Sequence, residues 1–170
     1  MKKLSDQIDR FCLTHPNFGI PRLMMFIVIG NIAVWLVSAM DTTGTFRYML
    51  TFNAEMIFRH GQIWRLITFV FVPESSGVLL VLWLYLYYSI GNTLEDAWGT
   101  GKFTIYYLSG MVLTMIYGTA VWLIGGYSPH LTVHYVNLSM FFAYATLFPD
   151  TYFLLFFFFP VKVKWLAIID

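Results

Sequence analysis

Charge is what this sequence has least of. Only 11% of its 170 residues are Asp, Glu, Lys or Arg, against about 25% in a soluble domain. The net charge is +1, so there is no basic stripe to track a nucleic-acid backbone. Cys12 is the single cysteine, which excludes an internal disulfide and a cysteine-built metal site. A cleavable leader is not expected either, since the first apolar run begins near Leu23 behind a long polar lead, with no small-residue cleavage pattern after it. What remains is apolar: 59% hydrophobic, 20% aromatic, with a mean hydropathy of +0.69. Such a chain cannot cover its own surface with polar groups. It is a membrane protein, and its first partner is the lipid bilayer.

A hydrocarbon core of about 30 Å takes roughly 20 helical residues. Leu23–Met40 is uncharged and close to that length. Gly77–Gly91 is shorter, with the apolar stretch Leu66–Val72 just ahead of it, and Phe103–Ile124 is a clear span. His134–Phe148 reads as a fourth, more polar at its start. Beyond Pro160 the pattern resumes in Trp165–Ile169, too short to cross; either this helix stays at the interface or, as is expected here, the chain is a fragment of a longer protein. The chain is read as an all-α bundle: a cytoplasmic amphipathic lead over 1–22 and one transmembrane domain over 23–170, with four helices and the start of a fifth.

Lys and Arg set the orientation. With the N-terminus inside, Lys2, Lys3, Arg10, Arg22, Lys102, Lys162 and Lys164 lie inside, and Arg47, Arg59 and Arg65 outside. That excess predicts a cytoplasmic N-terminus. In the lead, Leu4, Ile8 and Phe11 recur at helical spacing, as in a helix lying on the inner leaflet, and Pro16 ends it at His15. Loop 41–76 is too long for a connector and is rich in aromatic residues and Met, so it is expected to lie in the outer interface. Tyr152–Phe159 is expected to do the same on the inner side.

The candidate chemistry is sparse. Ser139 could be a nucleophile, but a serine needs a base within hydrogen-bond reach, and His134, five residues earlier, points about 140° away on a helix. Ser139 with Ala143 instead makes a small-xxx-small pair that lets helices approach. His130 and His134 stand at a metal-ligand spacing, yet Glu74 is the nearest acid and a third ligand is not fixed; neither a metal nor another cofactor is expected. Ser109-Gly110 reads as a helix contact. Glu95 and Asp96, beside Lys102, fall in a turn at the inner interface. Trp64-Arg65 is the sharper signal. An arginine in a membrane-embedded loop has to bind carbonyls or an acid, so it is expected to hold the loop's shape.

Three stretches carry a resemblance: GQIWRLITFVFVP (61–73), GNTLEDAWGTGKFTIYYLSG (91–110) and ATLFP (145–149). Together they resemble the first-loop Trp-Arg motif, the second-to-third helix turn and the end of the fourth helix in the rhomboid superfamily. The resemblance implies a compact six-helix bundle with an embedded first loop, in which Trp64, Arg65, Glu95 and Gly101 are structural motif residues. Active members are intramembrane serine proteases with a G-x-S-G nucleophile motif. Placed without gaps from Leu147-Phe148-Pro149, that motif falls on Thr132–Tyr135, with His134 at the nucleophile position. The family's H-x-x-x-N falls on or beside Leu79 and Trp83. The pattern is thus closer to the non-proteolytic Derlin branch and to small bacterial rhomboid-like proteins. The implied function is binding transmembrane segments of client proteins, with His134, Asn137 and Ser139 as candidate client-facing residues. Two other readings stand beside it: an intramembrane serine protease using Ser139 in a shifted register, and a structural subunit of a membrane complex.

Overall fold

The computed structural model describes residues 10–12, 14, 15, 18–73, 75 and 77–148, and the backbone of 152–155 and 159–162. Helix α1, Leu23–Met40, is followed by a folded loop of short pieces: α2 (Thr45–Leu50), α3 (Ala54–His60), α4 (Arg65–Thr68) and a 3-10 turn over Phe69–Phe71. Then come α5 (Val78–Trp98), α6 (Thr100–Gly125) and α7 (His134–Leu147). Three of these, α1, α5 and α6, are long and apolar enough to cross a membrane. The described chain through Phe148 is thus a multi-pass helical bundle of the kind a bilayer permits, each span satisfying its backbone internally.

Two expectations are corrected. The apolar run His134–Phe148 predicts a fourth span, but α7 at 14 residues is about 21 Å long, short of the hydrocarbon core. It packs against both α5 and α6 and buries Val136, Asn137, Met140, Phe141, Tyr144 and Ala145. A helix enclosed by others need not match the bilayer's thickness. The second correction concerns α5, which runs through Glu95 and Asp96 rather than ending at Gly91. Nothing from Asn92 to Trp98 breaks a helix, and Ile90 and Leu94, one turn apart, are both fully buried. Gly99, at φ 87°, makes the stop.

After α7, β1 (Tyr152–Leu155) pairs antiparallel with β2 (Phe159–Lys162). The expected fifth helix at Trp165–Ile169 and the amphipathic lead around Leu4 and Ile8 lie outside the described residues.

Two junctions fix the bundle's ends. At one, Phe52 and Leu131 exchange backbone hydrogen bonds of 2.9 and 3.1 Å, joining the first loop to the α6–α7 loop. Both side chains lie on Gly118 of α6, where a Cβ would overlap them. At the other end, the 18–22 segment crosses the α5–α6 turn. Asn31 ties the loop to α1 by donating to the Val70 carbonyl at 3.2 Å, and Gly30 leaves room for Phe71 beside it.

Candidate functional site

The first loop is held by its arginine. α2 is a short helix, and its last carbonyls have no partner within the helix, a serious cost in or near lipid. The 62–68 segment supplies those partners from outside. Arg65 donates through Nη1 to the carbonyls of Tyr48 and Thr51, both at 2.8 Å. Trp64 Nε1 reaches the Met49 carbonyl at 3.3 Å, and Thr68 Oγ1 reaches Leu50 at 2.9 Å. Four consecutive carbonyls are thus capped by three side chains at i, i+1 and i+4 of one helical turn. Gln62 Oε1 accepts from Arg65 Nε at 2.6 Å, and Tyr48 lays its ring 5.4 Å from the guanidinium. Arg65 is only 1% exposed. Burial lowers its pKa from the usual arginine value, but arginine stays charged in proteins. Arg47 donates to the Pro73 carbonyl and closes the far side of the loop.

His130 sits against this cap. Its ring lies 4.7 Å from that of Tyr48, with polar contacts of 3.4 Å to Thr51 Oγ1 and Asn53 Nδ2. Burial, then the nearby Arg65 charge, lowers its pKa from 6.5. His134 is instead exposed at the start of α7, 5.5 Å ring to ring from Tyr135. Among the described residues no three His, Cys, Asp or Glu side chains converge as a metal site, and Glu74 lies outside them.

The opposite end is built around Glu95. Its Oε1 accepts from the backbone N–H of Arg22 and from Thr100 Oγ1, each at 3.0 Å. Arg22 is in the left-handed region at φ 54°, which costs a non-glycine residue roughly 1 kcal/mol. The carboxylate offsets that by holding the N–H at the positive end of α1. Ile20 N–H donates to Thr104 Oγ1 at 3.1 Å. Gly101 gives the passing chain its space, for a Cβ there would press on the Phe18 carbonyl and Cys12 Sγ. Glu95 and Gly101 therefore meet around the 18–22 segment. The sequence pattern puts Glu95 in a turn beside Lys102; one of its two partners is a backbone amide 73 positions away, which no side-chain pattern encodes.

Ser139 lies in a groove between α6 and α7. The groove encloses about 320 Å³ over Ser109, Gly110, Leu113, Thr114 and Ser139, with Tyr106, Tyr117 and Tyr135 at its edges. The Ser139 hydroxyl donates to its own helix at the Val136 carbonyl, at 2.8 Å. Ser109 and Thr114 do the same to Tyr106 and Gly110. Tyr106 OH crosses to the Ser139 carbonyl at 2.8 Å, which pins the two helices together. Gly110 allows the approach, since a Cβ would stand 3.3 Å from Val136 Cγ1. Asn137 faces elsewhere, into a cavity between α1, α5 and α7 that Trp83 also lines. The three candidate client-facing residues therefore occupy three surroundings: His134 exposed, Ser139 in the groove and Asn137 in the core. Sequence reading missed the tyrosines of the groove. Tyr106, Leu113 and Tyr117 recur at spacings of seven and four, the only signal that they share a face.

Compared with known proteins, the chain matches no family model, no curated protein and no solved structure.

Proposed function

We propose that the chain is a rhomboid-like, non-proteolytic membrane protein that binds transmembrane segments of other proteins, from a bacterial plasma membrane with its N-terminus in the cytoplasm. The observation that carries this reading is the α6–α7 groove. In lipid, helices associate by close packing and short polar contacts rather than by hydrophobic transfer, and small residues permit that approach. The groove offers Ser109, Gly110 and Ser139 on its floor, while Leu113, Tyr117 and Tyr135 are exposed at its edge. The folded first loop on its arginine cap supports the rhomboid-like part of the reading.

The protease alternative is less well supported. Among the described residues the Ser139 hydroxyl is directed to its own backbone, and an unactivated serine is a poor nucleophile.

A defined helix tests the reading. The protein is reconstituted in lipid vesicles with a synthetic single-span helix, fluorescently labelled, bearing either a small-xxx-small face or only leucine. Energy transfer to the protein is expected for the first helix and not the second. Ser109→Leu, at an exposed position in the groove, is expected to abolish it while leaving the fold intact. Equal transfer to both helices, or transfer unaffected by Ser109→Leu, would count against binding at this groove. In parallel, a fluorophosphonate probe is expected to leave the protein unlabelled. Labelling lost in Ser139→Ala would establish the protease reading in its place.

A further inference from the structure

Asn137 is a buried amide with a missing partner. It is 5% exposed, on the face of α7 turned into the bundle, and among the described residues its side-chain oxygen is buried with no hydrogen-bond donor. An orphaned buried acceptor costs roughly 1–3 kcal/mol, and native interiors seldom leave one. The neighbouring polar side chain does not supply the donor. Asn31 on α1 already donates its amide to the Ile27 carbonyl at 2.8 Å and the Val70 carbonyl at 3.2 Å.

What adjoins Asn137 is space. A cavity of about 30 Å³ lies between α1, α5 and α7, beneath Pro73 and Ser75, and both Asn31 and Asn137 line it. About 10–15 Å³ suffices to hold one water, provided two to four polar partners face it. An apolar cavity would stay dry, but Asn137, Asn31 and Ser75 give this one a polar wall among Met24, Leu80 and Trp83.

We infer that this cavity is a water-binding site within the helix bundle, holding one ordered water, at most two, that donates to Asn137. The water's second hydrogen is left for the side-chain oxygen of Asn31, and its own oxygen for the hydroxyl of Ser75, both of which line the same space. The assignment does not depend on which way the Asn137 amide is turned. Turning it over replaces an orphan acceptor with an orphan donor, and water serves either. A lipid headgroup is too large for the space. The site is independent of the α6–α7 groove and holds whether or not that groove binds a helix.

Radiolytic footprinting of the protein in lipid nanodiscs tests it. Hydroxyl radicals formed from a bound water oxidise the side chains beside it, even where bulk solvent does not reach. Met24 and Met140 make an internal comparison: both are thioethers, 1% and 0% exposed, and only Met24 lines the cavity. Met24 is expected to oxidise several-fold faster than Met140 on the millisecond exposure scale. Asn137→Leu, which removes the acceptor that the water serves, is expected to bring Met24 down to the Met140 rate. Equal rates in the unaltered protein would overturn the proposal without any variant. Fast Met24 oxidation persisting in a folded Asn137→Leu protein would overturn it as well, since the radical source would then not be a water held by Asn137.

Discussion

Arg65 makes three hydrogen bonds that hold the first loop, and its substitution separates charge from shape. Two carbonyls and the Gln62 amide oxygen surround one guanidinium, an arrangement that suits a planar fork of donors and not a point charge. Arg65→Ala is expected to lower the unfolding free energy in detergent by about 1–3 kcal/mol, leaving the Tyr48 and Thr51 carbonyls bare. Arg65→Lys is expected to recover little of it. Unchanged thermal midpoints for both would mean that water caps α2 as well as the arginine does. Beside it, His130 gives the loop a pH dependence of known sign. Its folded pKa lies below 6.5, so the unfolded chain binds the proton more readily. The stability it contributes is complete above about pH 6.5 and is lost as pH falls through the lower folded value. Burial is the first cause and the nearby Arg65 cation the second; Tyr48 contributes a ring, and Glu55 on α3 is already paired with Arg59. The thermal midpoint is expected to fall between pH 7.5 and 5, and His130→Gln to flatten that slope. A slope of equal size in the variant would assign it to another group.

At the level of the element, the spans declare themselves in sequence because lipid admits only self-satisfied helices. Leu23–Met40 has the same limits by pattern and by structure. The end of α5 was not legible, since apolar pattern fades at Asn92 while the helix continues on packing alone. α7 misled for a related reason: an apolar run says that a segment avoids water, and burial among helices meets that as well as lipid does. Trp64-Arg65 was legible as a signal, because a charge in an embedded loop has few ways to be satisfied. Its acceptors were not, being backbone atoms in another element. Close helix crossings are equally silent in sequence until a glycine is placed. At Gly91 of α5 a Cβ would overlap the side chain of Met24 on α1, itself almost wholly buried. Gly91→Ala is therefore expected to cost about 1–3 kcal/mol by overpacking. Adding Met24→Ala should return part of it, so that the double variant is more stable than the sum of its parts. Additive losses would show that the crossing is set by something other than this contact.

For the whole molecule, the two junctions fix which segments share a side of the membrane. The Phe52–Leu131 bridge puts the first loop and the α6–α7 loop at one end, while Glu95 holds Arg22 against the α5–α6 turn at the other. That pairing comes from contacts and carries no direction. Direction is proposed from charge: Lys2, Lys3, Arg10 and Arg22 precede α1 and Lys102 follows the α5–α6 turn, against Arg47, Arg59 and Arg65 in the first loop, and cations near the ends of spans are retained in the cytoplasm. Arg65 weakens the opposing count further, since it is buried on backbone carbonyls and not displayed to the translocation machinery once the loop has folded. A reporter inserted after Gly99 is therefore expected to be cytoplasmic and one fused after Gly126 external. Contacts and charge can fail separately here. If the two reporters exchange sides, the bundle stands and the charge rule has misjudged the direction. If both report the same side, α6 does not cross. The groove between α6 and α7 would then face a headgroup layer or water rather than lipid tails, and binding of a transmembrane segment there would lose its physical basis.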